Sequence, residues 1–134
     1  MNSQTERYAF LRRALQANGI FSALSGIIII LADNSIASII GLPEQVSLIG
    51  LGISLLLFAA SLLWVASREE IKPAAAWAAV ILDIGWVAGS AALISASVLS
   101  APGNLAVAAV AAIVLLFALL QFLGIRKLRG QTAG

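Results

Sequence analysis

The chain has no cysteine and no histidine, and only 10% of its 134 residues are charged. Without cysteine there are no disulfides, no thiol redox chemistry and no thiolate metal ligands. Without histidine, imidazole catalysis, His-based triads and haem or zinc ligation by His are excluded. Soluble proteins carry about 25% charged residues, so the deficit also excludes an ordinary solvated surface. Aromatic residues are sparse at 7%. No P-loop, GxSxG, HExxH or dinucleotide-binding fingerprint occurs. No cofactor is implied, and neither is a metal site.

What is present is apolar: 61% of the residues are hydrophobic, and the mean hydropathy is +1.04. A helix needs about 20 apolar residues to cross roughly 30 Å of hydrocarbon. The charged residues mark the spans. Between Arg13 and Asp33 lie 19 uncharged residues, and between Glu44 and Arg68 lie 23. The 42 uncharged residues between Asp83 and Arg126 are too many for one crossing, and Pro102-Gly103-Asn104 divides them as a turn. The chain therefore reads as all-α, a single transmembrane domain over 1–134: a four-helix transmembrane bundle with helices at about 12–32, 45–66, 74–99 and 105–125. Pro43-Glu44 and Pro73 suit the first turns of the second and third helices. The stretch from Asp33 to Pro43 reads either as a short interfacial helix or as a plain apolar loop. Short connections predict two tandem helical hairpins.

All eight Lys and Arg residues fall on one side of these spans: Arg7, Arg12, Arg13, Arg68, Lys72, Arg126, Lys127 and Arg129. Basic residues stay on the cytoplasmic side, so both termini are expected in the cytoplasm, with the chain multi-pass in a cell inner (plasma) membrane. Trp64 and Trp77 fall near the cytoplasmic ends of their helices, as an aromatic belt would have them. The net charge of +2 follows from topology and implies no nucleic-acid partner. The basic tail at 126–129 is suited to anionic lipid head groups. Glu69 and Glu70 read as a solvated turn. Arg12-Arg13 ahead of an apolar run resembles the start of a signal peptide, but the length of the run, Asn18 within it and the lack of a small-x-small site favour an uncleaved helix.

The halves resemble each other. Leu55-Leu56-Leu57-Phe58-Ala59 matches Val114-Leu115-Leu116-Phe117-Ala118, and Asn18-Gly19-Ile20-Phe21 can be set beside Asp83-Ile84-Gly85-Trp86. Two-helix units in tandem would form a parallel repeat about an axis normal to the membrane; shared apolar composition is the competing explanation.

Asp83 is the one charged residue that must lie within a spanning helix. Counted from Pro73, it sits ten residues in, about 15 Å along the axis. A carboxylate at that depth costs roughly 2.5–3.5 kcal/mol on insertion scales and marks a functional candidate. Two readings stand: a proton or cation site, or a hydrogen bond to Asn18, a Ser or a Trp that fixes packing. Asn18, Ser22 and Ser25 share a helix face; so do Asp83, Trp86 and Ser90; and Ser47, Gly50, Ser54 and Ser61 form a third stripe. Polar side chains in lipid turn toward other helices, so the three stripes are expected to converge on a narrow, hydroxyl-lined interior. Gly85 and Gly89 form a GxxxG pair and, with Gly50 and Ser54, are the expected helix-packing positions.

The segments Asn18-Gly-Ile-Phe-Ser22, Gly41-Leu-Pro43 and Asp83-Ile-Gly-Trp-Val-Ala-Gly-Ser90 resemble small four-helix bacterial integral membrane proteins of uncharacterised function. The resemblance implies a bacterial inner-membrane setting and imports no activity. Function is expected to be non-enzymatic, by association as a homo-oligomer or as an accessory subunit with other membrane-protein subunits in the lipid bilayer. A small transporter or channel-like protein using Asp83 is one alternative. A lipid, quinone or pigment binder using Trp86 and Phe21 is the other.

Overall fold

Long apolar runs leave the backbone no water to bond with, so helix, which satisfies its own polar groups, is the form they take in lipid. The structure, a computed structural model, describes residues 3–43 and 47–133; helix makes up 87% of it and the described residues contain no strand. Five helices follow one another: α1 (Ser3–Leu31), α2 (Asp33–Ile40), α3 (Ile49–Ser67), α4 (Pro73–Ser95) and α5 (Ala101–Ala133). Four contain stretches long and apolar enough to cross a membrane: Arg7–Leu31, Ile49–Ser67, Pro73–Ser95 and Ala101–Leu128. The chain is thus a multi-pass membrane protein.

The helix boundaries correct the expected spans in physical detail. The segment after Asp33 is a helix, α2, closed by Gly41 in the left-handed region at φ 87°. α3 is described from Ile49; the expected first turn at Pro43-Glu44 and the start at Gln45 run into residues outside those described. Pro73 does open α4, where its missing N–H is harmless. That helix stops at Ser95 rather than 99, because Ser97 takes a positive φ of 58°. Pro102-Gly103-Asn104 forms no turn. It is the first turn of α5, capped by Ser100, whose Oγ accepts a hydrogen bond from the Gly103 N–H at 3.0 Å. The same hydroxyl donates to the Ile39 carbonyl at 2.7 Å, and the Ser100 N–H donates to the Ile40 carbonyl at 3.0 Å, which pins the end of α2 to the start of α5. Asp33 ties the other end of α2 to the approach of α3, its Oδ1 accepting from the Leu48 N–H at 2.6 Å.

Packing runs in the order α3, α1, α5, α4, with α2 laid against α1 and α5. Between α3 and α4 there is no comparable packing. The α1–α3 seam is the closest approach: a Cβ added at Gly26 would stand 2.8 Å from the Gly52 carbonyl oxygen, and one at Gly52 would stand 2.9 Å from that of Gly26. Around the basic ends of the helices the chain closes on a core that includes Tyr8, Leu11, Leu15, Leu62, Ile71 and Ile125. Arg12 reinforces that end by donating to the carbonyls of Ala66, Arg68 and Glu69, where α3 leaves its last acceptors unpaired. Cations also lie over rings there: Arg68 over Trp64 at 5.2 Å, Arg126 over Phe122 at 5.9 Å and Lys127 over Phe10 at 4.6 Å. Residues of α1, α3, α4 and α5 meet in this core. Toward the other end α3 and α4 both line the cavity described next.

Candidate functional site

Asn18 on α1, Asp83 on α4 and Gln121 on α5 are each almost fully buried, at 1%, 3% and 0% exposure. The Asn18 amide Nδ2 donates to Asp83 Oδ2 at 2.8 Å and to Gln121 Oε1 at 2.9 Å. Gln121 Nε2 donates to the same Asp83 oxygen at 2.8 Å. Ser22 Oγ completes the set by donating to Asn18 Oδ1 at 3.3 Å. One carboxylate oxygen therefore accepts two amide protons, and a proton bound by the carboxyl belongs on Oδ1. In a low-dielectric interior such a network is strong when its members are paired and costly when one is removed. Interhelical bonds of this kind contribute about 0.6–2 kcal/mol each. Three helices are tied by three side chains, and α3 is left out.

Above this cluster, on the side away from the basic ends, lies a partly open cavity of about 580 Å³. Phe21 and Ile29 of α1, Ile36 of α2, Leu51 of α3, Leu82 of α4 and Val110 of α5 represent its walls. Asn18, Ser22, Ser25, Ser54, Asp83 and Trp86 supply its few polar groups. The walls are continuous where α3 meets α1, α1 meets α5 and α5 meets α4; the unpacked side is the gap between α3 and α4. Phe21 stacks tilted against Phe117 at 5.5 Å and stiffens the back wall. Trp86 lines the cavity while its indole Nε1 is buried and has no hydrogen-bond partner.

No protein-family model, curated protein or solved structure matches the chain. Its own geometry is the guide to its chemistry.

The structure brings together Asn18, Ser22, Ser25, Asp83 and Trp86, and leaves others apart. Ser90 is buried on α4 but lies outside the cavity lining. The α3 stripe does not converge. Ser61 and Ser54 are exposed, and their hydroxyls donate back to the Leu57 and Gly50 carbonyls at 2.8 and 2.9 Å. A hydroxyl satisfied by its own helix can face lipid, so its polarity does not select a face. Only Ser54 of that stripe reaches the cavity, whose lining is apolar rather than hydroxyl-rich. Gly50, Gly85 and Gly89 are exposed, and a Cβ at any of them would meet nothing within 4 Å. Within the chain they pack no helices; Gly26 and Gly52 do. Gln121 is the member that the sequence patterns did not point to. Its signal was its rarity, as the one polar side chain of an otherwise apolar helix stretch, which in lipid demands a partner. Among the described residues, no group of three or more acidic side chains is placed to hold a metal ion.

Proposed function

We propose that this chain is a non-enzymatic protein of a bacterial inner (plasma) membrane, with both termini cytoplasmic, which binds a small hydrophobic molecule between its helices. In this reading two tandem hairpins, α1 with α3 and α4 with α5, form a four-helix bundle that is closed at the cytoplasmic end and open above it. The observation that carries it is the cavity: about 580 Å³, apolar on nearly every side, with a few polar groups gathered at Asn18 and Asp83. Small-molecule sites have this size and this balance of apolar wall and placed polar group. The amide clamp on Asp83 supports a packing role for that carboxyl in preference to a transport role, since Oδ2 already has two donors.

The test is extraction of the tagged protein from its host with a styrene–maleic acid copolymer, followed by mass spectrometry of everything that co-purifies. A hydrophobic compound present at fixed stoichiometry, and lost in Val110→Trp and Ala106→Trp, is the expected result. Recovery of bulk phospholipid alone, equal in all three proteins, would sink the reading.

A second reading, association as a homo-oligomer or accessory subunit, is favoured by the outward Gly85–Gly89 pair, which stands in open space on α4 and would let a further helix approach closely. Crosslinking in native membranes decides it: a dimer or a stoichiometric protein partner supports association, and monomer alone removes it.

A further inference from the structure

Taking the cavity as a binding site, its chemistry selects among hydrophobic ligands. We propose that the occupant is a neutral lipid bearing a carbonyl group, which enters from the bilayer between α3 and α4 and places its carbonyl oxygen at the indole N–H of Trp86.

Three observations converge on this class. The first is the route. α1, α5 and the pinned α2 close the back and one end, and the core around Leu11, Leu15 and Leu62 closes the other. The side without comparable helix packing is the α3–α4 gap, where Leu51 and Leu82 both line the cavity and are exposed. A molecule using that gap comes out of the hydrocarbon, and so must be soluble in it.

The second is charge. The residues lining the cavity include one carboxyl, Asp83, and no Lys or Arg. Arg12 is committed to the end of α3, and Arg68, Arg126 and Lys127 lie over rings at the basic end. A phosphate or fatty-acid carboxylate would meet Asp83 with no cation to offset it, and burying an unpaired charge is costly. The ligand is neutral.

The third is a buried donor without an acceptor. The Asn18 and Gln121 amides donate to Asp83, Ser22 donates to Asn18, and Ser54 donates to Gly50. Trp86 Nε1 is buried without an acceptor. An indole N–H is a donor only. An amine head group brings it no acceptor in its protonated form, and a plain hydrocarbon brings none at all. A carbonyl oxygen does, once the ring turns its N–H edge toward the cavity, where about 580 Å³ leaves room for the movement and for a hydrocarbon chain along the Ile and Leu walls.

Such a carbonyl could come from a prenyl-type quinone or from an acyl ester. Equilibrium binding to the full chain in nanodiscs separates these sources, with decylubiquinone, monooleoylglycerol, squalene, palmitate and dodecyltrimethylammonium as radiolabelled probes. Decylubiquinone and monooleoylglycerol are expected to bind more tightly than the other three, and whichever of the two is tighter names the source. Trp86→Phe keeps a ring and deletes the donor. It is expected to weaken both carbonyl probes about five- to tenfold, the worth of one hydrogen bond, and to leave squalene unchanged. A second readout needs no loss of the residue. In the Trp64→Phe/Trp77→Phe background, the indole 15N–1H resonance of Trp86 should move downfield with the carbonyl probes and stay in place with squalene. Tighter binding of squalene, palmitate or the ammonium probe, or an unmoved indole resonance under saturating decylubiquinone and monooleoylglycerol, overturns the carbonyl assignment. If instead Val110→Trp alters the binding of none of the five probes, the cavity is not the site, and the proposed function falls with it.

Discussion

At the scale of single residues, the Asn18–Asp83–Gln121 cluster is the polar event in an apolar molecule. Its pattern makes an asymmetric prediction about Asp83. In Asp83→Asn the side-chain carbonyl takes the place of Oδ2 and keeps accepting from both amides, so stability in detergent should change by less than about 1 kcal/mol. Asp83→Leu strands two buried N–H donors, each worth about 1–3 kcal/mol when unpaired, and Gln121→Leu removes one bond to Asp83 and one from Asn18. Thermal unfolding followed by circular dichroism should rank wild type and Asp83→Asn together, Gln121→Leu below them and Asp83→Leu lowest. A large loss in Asp83→Asn would mean that the carboxylate charge itself holds the site. The pairing of Asn18 with Asp83 was legible from the sequence, because two costly groups at similar depth in different spans need a partner. Gln121 was not, because a single polar residue near the end of an Ala- and Leu-rich stretch does not say what it meets, and only the packing of α5 on α1 turns it inward.

At the scale of helices, small residues divide into two kinds that the sequence writes alike. Gly26 and Gly52 sit where α1 and α3 touch, and Gly85 and Gly89 stand in open space. Gly26→Val should therefore push the seam apart at a cost of about 1–3 kcal/mol, while Gly89→Val should leave the monomer's fold intact and weaken only an association through that face. Size-exclusion profiles with melting curves of the two variants check this, and equal destabilisation would contradict it. The GxxxG spacing named the pair that faces outward, since spacing records which residues share a face and not what that face meets. Helix existence was legible in all four spans; helix ends were not, because Ser97's left-handed backbone and Ser100's cap act locally and override the Pro-Gly-Asn signal. The internal resemblance of the sequence can be set against the packing. With α1 set against α4 and α3 against α5, the α1–α5 contact would correspond to a contact between α4 and α3, where no comparable packing occurs. At the offset of 59, Leu62 of α3 stands where α5 has Gln121, so the polar tie that draws α5 onto its neighbours has no equivalent on α3.

At the scale of the whole molecule, a basic, well-packed end faces an end built from α2, the α4–α5 connection and the cavity. The proposed orientation, with the basic end in the cytoplasm, rests on the retention of basic residues on that side, and the absence of cysteine makes it simple to test. In intact cells a membrane-impermeant maleimide should label Ser35→Cys, and it should label Ser67→Cys only after the inner membrane is permeabilised; the reverse pattern would invert the topology. Fold class and membrane setting were legible because hydropathy and charge are summed over whole helices. The cavity was not, since it arises from two helices failing to pack, which no local pattern records. The most direct test of a ligand-holding cavity is native mass spectrometry of wild type and Val110→Trp released from native membranes. The account predicts a single hydrophobic adduct of constant mass on the wild-type protein and its loss from the variant. Two bare proteins, or the same adduct on both, would contradict it.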